Sequence, residues 1–219
     1  SRFLVDKTIE FIDSNIDDAK PFFAYLPFQA VHIPVQAPRE FTEKYLGVYD
    51  AGWDVLREQR QARAMELGII PANTGMVRMS TTGDWDSYSP EEQRYQAKRM
   101  AVYAGMVDAM DHHLGRLVQH LRDIGEYDNT VIIFMSDNGT TLAGSGNGAV
   151  GKRDGVKLSA FHAGLKGGKK SPHQGGTKVP AFFSWKGKLG QGVSRKNLSA
   201  HIDLLPTLVE LAGGEAPEG

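Results

Sequence analysis

An acidic and an amide side chain stand together at the end of an apolar run, where they could bind a metal ion. The run "VIIFMS" occupies residues 131–136, and Asp137, Asn138 and Gly139 follow it directly. Carboxylate and amide oxygens are hard ligands that suit Ca²⁺ or Mg²⁺. Asp-Asn-Gly is also a common turn sequence, so a simple turn is the alternative. The continuously apolar run before the pair, and the long glycine-rich segment after it, favour metal binding over a hairpin turn.

A histidine and a lysine-rich segment could contact an anionic substrate. His32 lies in "VHIP", where Pro34 restricts the backbone, and this suits a proton donor or an anion contact. A lone loop histidine is otherwise a surface or structural residue. Residues 164–180, "GLKGGKKSPHQGGTKVP", combine lysines with glycines that let the backbone approach a ligand closely. The composition predicts an anion cradle, and a solvated basic loop is the alternative.

The overall charge gives no support to nucleic-acid binding or to binding at an anionic membrane. The chain has 219 residues, 41% of them hydrophobic, which is enough to bury one core. Its 25 basic and 26 acidic residues nearly cancel, so the charge favours neither nucleic acid nor an anionic membrane surface. Locally the balance differs, because residues 151–180 contain Asp154 as their one acid. The basic residues of that segment are Lys152, Arg153, Lys157, Lys166, Lys169, Lys170 and Lys178.

The absence of cysteine and of long apolar runs limits the kinds of site that these residues can form. The chain has no cysteine, which excludes disulfides, thiolate metal sites and a cysteine nucleophile within these residues. No apolar run is long enough to span a bilayer. We therefore expect no membrane span and a site built on oxygen and nitrogen donors.

Apolar spacing predicts the elements that position these residues. A long helix should begin at Ser89, where Ser-Pro-Glu-Glu forms a capping box, and end near Gly125. The other predicted elements are a helix over 2–17, short helices within 39–88, strands over 21–28, 131–136 and 179–185, and a helix from about Asp203.

This order of helices and strands is typical of an α/β sandwich with a mostly parallel sheet. Ligands of such sheets collect beyond the carboxyl ends of the strands. His32, Asp137 and Asn138 all follow predicted strands, so we expect them at that edge of the sheet. Residues 139–178 are too long for an ordinary connection, and loops of this length are usually functional or disordered.

The chain resembles the sulfatase family of the alkaline-phosphatase-like superfamily along nearly its whole length. The segment Tyr-Asp-x-Gly-Trp-Asp, residues 49–54, is similar to the bacterial arylsulfatase branch. The resemblance implies an alkaline-phosphatase-like sandwich, with residues 1–219 forming the later part of one catalytic domain and residues 139–178 forming an active-site loop. The segments that carry it are "PFFAYLPFQAVHIPVQAP", "YDAGWDVLREQRQARAMELGIIP", "YAGMVDAMDHHLGRLVQHL", "DNTVIIFMSDNG", "GGKKSPHQGGTKVP" and "HIDLLPTLVELAG".

The same resemblance implies a role for each candidate residue. Asp137 and Asn138 would bind Ca²⁺ or Mg²⁺, and His32 and Lys169 would contact a sulfate ester. In the family a formylglycine hydrate attacks sulfur, and the alcohol leaves with help from a histidine such as His32. The expected substrate is a small-molecule aryl or alkyl sulfate ester, and the expected location is a periplasm or the cell exterior.

Two departures from the family pattern qualify these expectations. Where the family often has Glu-Gly-Gly-x-Arg, residues 174–178 read Gln-Gly-Gly-Thr-Lys. The chain also contains no Cys/Ser-x-Pro-x-Arg, the source of formylglycine. The paired N-terminal aspartates that complete the family's metal site have no counterpart before the first predicted strand. We therefore expect that the N-terminal part of the catalytic domain is missing and that these 219 residues alone are inactive. A phosphonate monoester or phosphodiester hydrolase and a non-catalytic anion-binding module are the alternatives.

Overall fold

Helices form where apolar residues recur every three or four positions. The computed structural model describes residues 1–18, 20–73, 75–76, 85–139, 151–153, 156–158 and 165–216. The helices are α1 (Arg2–Ser14), α2 (Arg39–Thr42), α3 (Gly52–Glu66), α4 (Pro90–Asp123), α5 (Gln174–Thr177) and α6 (Leu204–Leu211). Short 3₁₀ helices cover Ile16–Asp18, Glu43–Tyr45, Trp85–Ser87, Tyr127–Asn129 and His201–Asp203.

The long helix α4 begins and ends where the sequence predicts. The Ser89 hydroxyl accepts a hydrogen bond from the Glu92 backbone N–H, and the Glu92 carboxylate accepts one from the Ser89 backbone N–H. This reciprocal pair satisfies two backbone donors that a helix start otherwise leaves free. After the last turn, Gly125 takes a positive φ of 80°, a conformation that glycine adopts without strain. The predicted capping box is confirmed.

A row of residues spaced four apart forms the buried stripe of α4. Most of its members are small, so neighbouring backbone can approach closely: a side-chain carbon at Gly105 would lie 3.1 Å from Thr42 Cα in α2. The spacing follows the i+4 ridge of an α-helix. The row consists of Ala97, Ala101, Gly105, Ala109, His113, Leu117 and Leu121.

The hydrophobic core lies between α1 and the second half of α4. Val5 is fully buried, and it packs in one cluster with Ile12, Leu117 and Leu121. A polar contact borders the cluster, since Arg116 on α4 approaches Asp6 on α1 to 2.8 Å. The hydrogen bond from Arg116 lowers the pKa of the Asp6 carboxyl. The packing thus fixes α4, which leads into the strand of the candidate site.

Both strand pairs that the structure describes are antiparallel. Strand β1 (Ile132–Met135) pairs with β4 (Ala181–Ser184), with Ile132 opposite Ser184 and Met135 opposite Ala181. Strand β2 (Gly151–Arg153) pairs with β3 (Val156–Leu158). The predicted mostly parallel sheet is not confirmed. Strands β1 and β4 run in opposite directions, so they form an antiparallel ladder instead of the expected parallel one.

The predicted strand over residues 21–28 is wrong. These residues have no regular secondary structure, and Phe23 and Tyr25 are 77% and 78% exposed. Strand structure requires a hydrogen-bonded neighbour, and no strand in the described part of the chain pairs with this segment. His32 therefore follows an extended segment rather than a strand end.

Candidate functional site

The turn after β1 presents the carboxylate of Asp137 to solvent at the edge of the sheet. The ladder continues one residue beyond β1, because the Ser136 N–H donates to the carbonyl oxygen of Pro180 at 3.2 Å. The Ser136 hydroxyl then donates to the carbonyl oxygen of Asn138 at 3.1 Å, which closes the turn. Asp137 is exposed and Asn138 is half-buried. Strand and turn together place two oxygen-bearing side chains next to each other at a fixed position.

Five glycines join this turn to the lysine-rich loop. We call Gly139, Gly167, Gly168, Gly175 and Gly176 the glycine clasp. The Gly139 N–H donates to the carbonyl oxygen of Gly176 at 2.9 Å, and the Gly175 N–H donates to the carbonyl oxygen of Lys166 at 2.8 Å. The first of these bonds links the turn to α5, and the second links α5 to the loop. The structure therefore brings the Asp137 turn and the loop of Lys169 together.

The glycine clasp requires residues without side chains because backbone meets backbone. A side-chain carbon at Gly139 would overlap the carbonyl oxygen of Gly175, and one at Gly175 would overlap the carbonyl oxygen of Gly167. A side-chain carbon at Gly176 would overlap the carbonyl oxygens of Gly168 and Ser171. Close packing of backbone against backbone is therefore the structural role of the Gly-Gly pair in residues 174–178. This role does not depend on the Gln and Lys that stand where the family often has Glu and Arg.

Replacing Gly175 with alanine is expected to destabilise the full-length protein by about 1–3 kcal/mol, the usual cost of forcing extra atoms into a packed site. Gly115→Ala is the matched control, because Gly115 lies on α4 with open space around it and a helical φ. That control should stabilise the protein by up to about 1 kcal/mol, since alanine favours helices. Urea unfolding followed by circular dichroism measures both changes. Equal stability of Gly175→Ala and the wild type would contradict the packing described here.

Lys169 sits at the tip of a turn supported by the clasp. The Ser171 N–H donates to the Gly168 carbonyl oxygen at 2.9 Å, which closes the turn around residues 169 and 170. Lys169 is half-buried, whereas Lys170 is exposed and has a positive φ of 73°. The two adjacent lysines thus point into different environments. Lys169 has the more restricted position, which suits a fixed contact to an anion.

The described contact of His32 is with its own neighbour in the chain. His32 is exposed, and its Nδ1 lies 2.9 Å from the carbonyl oxygen of Ile33. A carbonyl oxygen only accepts, so Nδ1 carries the hydrogen and Nε2 is left for another partner. Among the described residues, no hydrogen bond or ion pair joins His32 to the Asp137 turn or to the lysine loop. Its place beside them remains a prediction.

The donor set at the turn fits a divalent cation in kind but not in number. A carboxylate and an amide oxygen are hard ligands, and Ca²⁺ normally takes six to eight of them. Over the described ranges, no group of three or more His, Asp or Glu side chains is close enough to hold a metal ion. Asp137 and Asn138 can therefore form only part of a coordination shell.

Sequence reasoning missed the residues that support the turn. His201, in the 3₁₀ helix before α6, places its Nε2 3.3 Å from the carbonyl oxygen of Ser136. His201 belongs to the segment "HIDLLPT", which helped to carry the family resemblance, but no role followed from the letters alone. Ser136 and His201 are 65 positions apart in the sequence, so only the folded structure shows their contact.

Comparison with known proteins identifies the family. A family model described as Sulfatase matches residues 1–214. The chain belongs to the sulfatase family. It is 44% identical over 141 residues to an uncharacterized sulfatase of Schizosaccharomyces pombe, covering 64% of this chain and 25% of that protein. It is 32% identical over 216 residues to an arylsulfatase of Klebsiella aerogenes, covering 89% of this chain and 47% of that protein.

A solved structure extends the similarity to the fold. The crystal structure of Ps i-CgsB in complex with k-i-k-neocarrahexaose matches with a TM-score of 0.59 and 28% identity, covering 99% of this chain and 34% of that chain. The predicted alkaline-phosphatase-like sulfatase fold is confirmed, with mixed helix and sheet. The chain spans about a quarter to a half of the length of these two curated relatives. Among the helices that the structure describes, none has the length and apolar content needed to cross a membrane.

Proposed function

We propose that this sulfatase chain contributes metal-binding and anion-binding residues to the active site of an arylsulfatase-type enzyme, which hydrolyses sulfate esters. The observation that carries the proposal is the glycine clasp, because it joins the Asp137 turn to the loop of Lys169. A pair of residues with hard oxygen donors and a half-buried lysine thus lie on segments that are bonded together. Similarity to the arylsulfatase of Klebsiella aerogenes supports the aryl sulfate class.

Asp137 and Asn138 would hold a divalent cation, Ca²⁺ or Mg²⁺, together with ligands from elsewhere in the full-length protein. Asp137 is exposed, and the amide of Asn138 is next to it in the chain. Both side chains offer hard oxygen donors, which suit Ca²⁺ or Mg²⁺. When bound, the ion would offset negative charge on the oxygens of the sulfuryl group. The Ser136 and Gly139 hydrogen bonds support this role because they hold the backbone that carries the two side chains.

Lys169 would bind a sulfuryl oxygen through its ammonium group. The clasp holds the backbone near this lysine, which supports a role for Lys169 as a positioned charge. A preorganised charge stabilises a transition state more than a mobile one, because little reorganisation is needed during the reaction.

His32 would donate a proton to the oxygen of the departing alcohol. Its Nδ1–H is engaged by the Ile33 carbonyl oxygen, so the proton available for transfer is the one on Nε2 of the protonated ring. The nucleophile would be a formylglycine hydrate. The 219 residues contain no Cys/Ser-x-Pro-x-Arg, so the formylglycine would lie in another part of the full-length protein.

A substrate comparison tests the proposal. The full-length protein, supplied with Ca²⁺ or Mg²⁺, should release p-nitrophenol from p-nitrophenyl sulfate faster than it hydrolyses a phenyl phosphonate monoester. Faster turnover of the phosphonate would replace the sulfatase assignment with a phosphonate monoester hydrolase. Binding of sulfated ligands without any release of sulfate would show a non-catalytic module instead.

A further inference from the structure

Ser136 is held by hydrogen bonds from three directions. Its N–H donates to Pro180, its hydroxyl donates to the Asn138 carbonyl oxygen, and its own carbonyl oxygen lies 3.3 Å from His201 Nε2. The contact with His201 can only be a hydrogen bond from Nε2–H, because the carbonyl oxygen has no hydrogen to give.

Each of these bonds fixes a different peptide plane around Asp137. A peptide unit is rigid and planar, so fixing its oxygen or its N–H fixes the unit as a whole. The bond to Pro180 fixes the plane before Ser136, and the Gly139 N–H bond to Gly176 fixes the plane after Asn138. The plane between Ser136 and Asp137 is fixed by His201, the one partner of that plane among the described hydrogen bonds.

His201 is itself well anchored. The Asp203 carboxylate accepts a hydrogen bond from the Ala200 N–H at 2.6 Å, and the Asp203 carbonyl oxygen accepts one from the Thr207 hydroxyl at 2.6 Å. These bonds hold the 3₁₀ helix that carries His201 at the start of α6. The imidazole is therefore attached to a defined element rather than to a free loop.

We propose that His201 is a positioning residue that orients Asp137 for cation binding by holding the carbonyl group of Ser136. The inference rests on the proposed function, in which Asp137 is a metal ligand. Rotation of the peptide between Ser136 and Asp137 moves the Asp137 side chain, so loss of the His201 bond should weaken cation binding without removing a ligand. Partners that orient metal ligands typically change metal affinity about 10–100-fold.

Two amide variants of the full-length protein separate this role from a general structural one. His201→Gln places an amide N–H close to the position of Nε2, whereas His201→Asn places the same group too near the backbone to reach Ser136. After chelator treatment, each variant is titrated with Ca²⁺ alone in a calorimeter, and its melting temperature is measured without metal. We expect about tenfold weaker Ca²⁺ binding for His201→Asn and rescue to near the wild-type affinity for His201→Gln.

The outcomes distinguish this inference from the proposed function. Asp137→Ala is titrated alongside and should abolish the site. If Asp137→Ala weakens Ca²⁺ binding while His201→Asn leaves it unchanged, the positioning role is overturned and the metal site stands. Equal weakening by His201→Gln and His201→Asn also overturns it, because the hydrogen bond would then be irrelevant. Unchanged binding by Asp137→Ala overturns both proposals.

Discussion

Replacing Asp137 with alanine in the full-length protein is expected to lower kcat/KM for p-nitrophenyl sulfate by about a thousandfold. The carboxylate supplies the negative charge of the Asp137–Asn138 pair, and the amide of Asn138 alone cannot hold a divalent cation against hydration. Loss of the ion removes charge stabilisation of several kcal/mol from the transition state, and each 1.4 kcal/mol corresponds to about a tenfold change in rate.

Asp128→Ala is the matched control for this variant. Asp128 precedes the same strand, is exposed, and forms a surface ion pair with Lys186 at 2.8 Å. Exposed ion pairs contribute little, so the control should retain nearly full activity. The decisive measurement is kcat/KM as a function of Ca²⁺ concentration. After chelator treatment, added Ca²⁺ should restore the activity of the wild type and of Asp128→Ala but not that of Asp137→Ala. Similar losses for the two aspartate variants would contradict the assignment of Asp137.

The position of Asp137 and Asn138 was predictable because two local signals agree. An apolar run of five residues, 131–135, predicts a strand, and a turn sequence follows it, so the acid and the amide must lie at the strand end. The glycines of residues 164–180 predicted that the backbone approaches a ligand closely, whereas in the structure they let it approach other backbone, including that of Gly139. That the approach is to Gly139 depends on pairing across the sheet, which no local pattern encodes.

Other parts of the fold depend on partners that the sequence does not specify. Small residues such as Ala101 and Gly105 form much of the buried row of α4. Hydrophobicity alone does not identify them, because their burial follows from the close approach of α2. Strand direction likewise depends on which strands become neighbours, so β1 and β4 could be predicted as strands but not as an antiparallel pair.

Lys169→Gln should lower kcat/KM for p-nitrophenyl sulfate by about 100- to 1000-fold, whereas Lys170→Gln should change it by less than about threefold. The two residues are adjacent and chemically identical, so the comparison holds net charge and local composition constant. They differ in placement, because Lys169 is half-buried beside the buried Gly168 and Lys170 is exposed. Removing one preorganised charged donor from an active site typically costs two to three orders of magnitude, roughly 2.7–4 kcal/mol.

The salt dependence of these lysine variants separates a direct contact from general attraction. If the loop acts only through its summed charge, both variants should lose equal activity and the loss should diminish as salt screens the loop. A direct contact from Lys169 predicts a loss confined to that variant and largely independent of ionic strength, since partly buried charges are screened less. Steady-state kinetics at about 0.05 and 0.5 M NaCl, on either side of physiological ionic strength, would decide. Equal and salt-sensitive losses of kcat/KM in both variants would show that the loop acts only through its summed positive charge. Lys169 would then have no specific role in the proposed site.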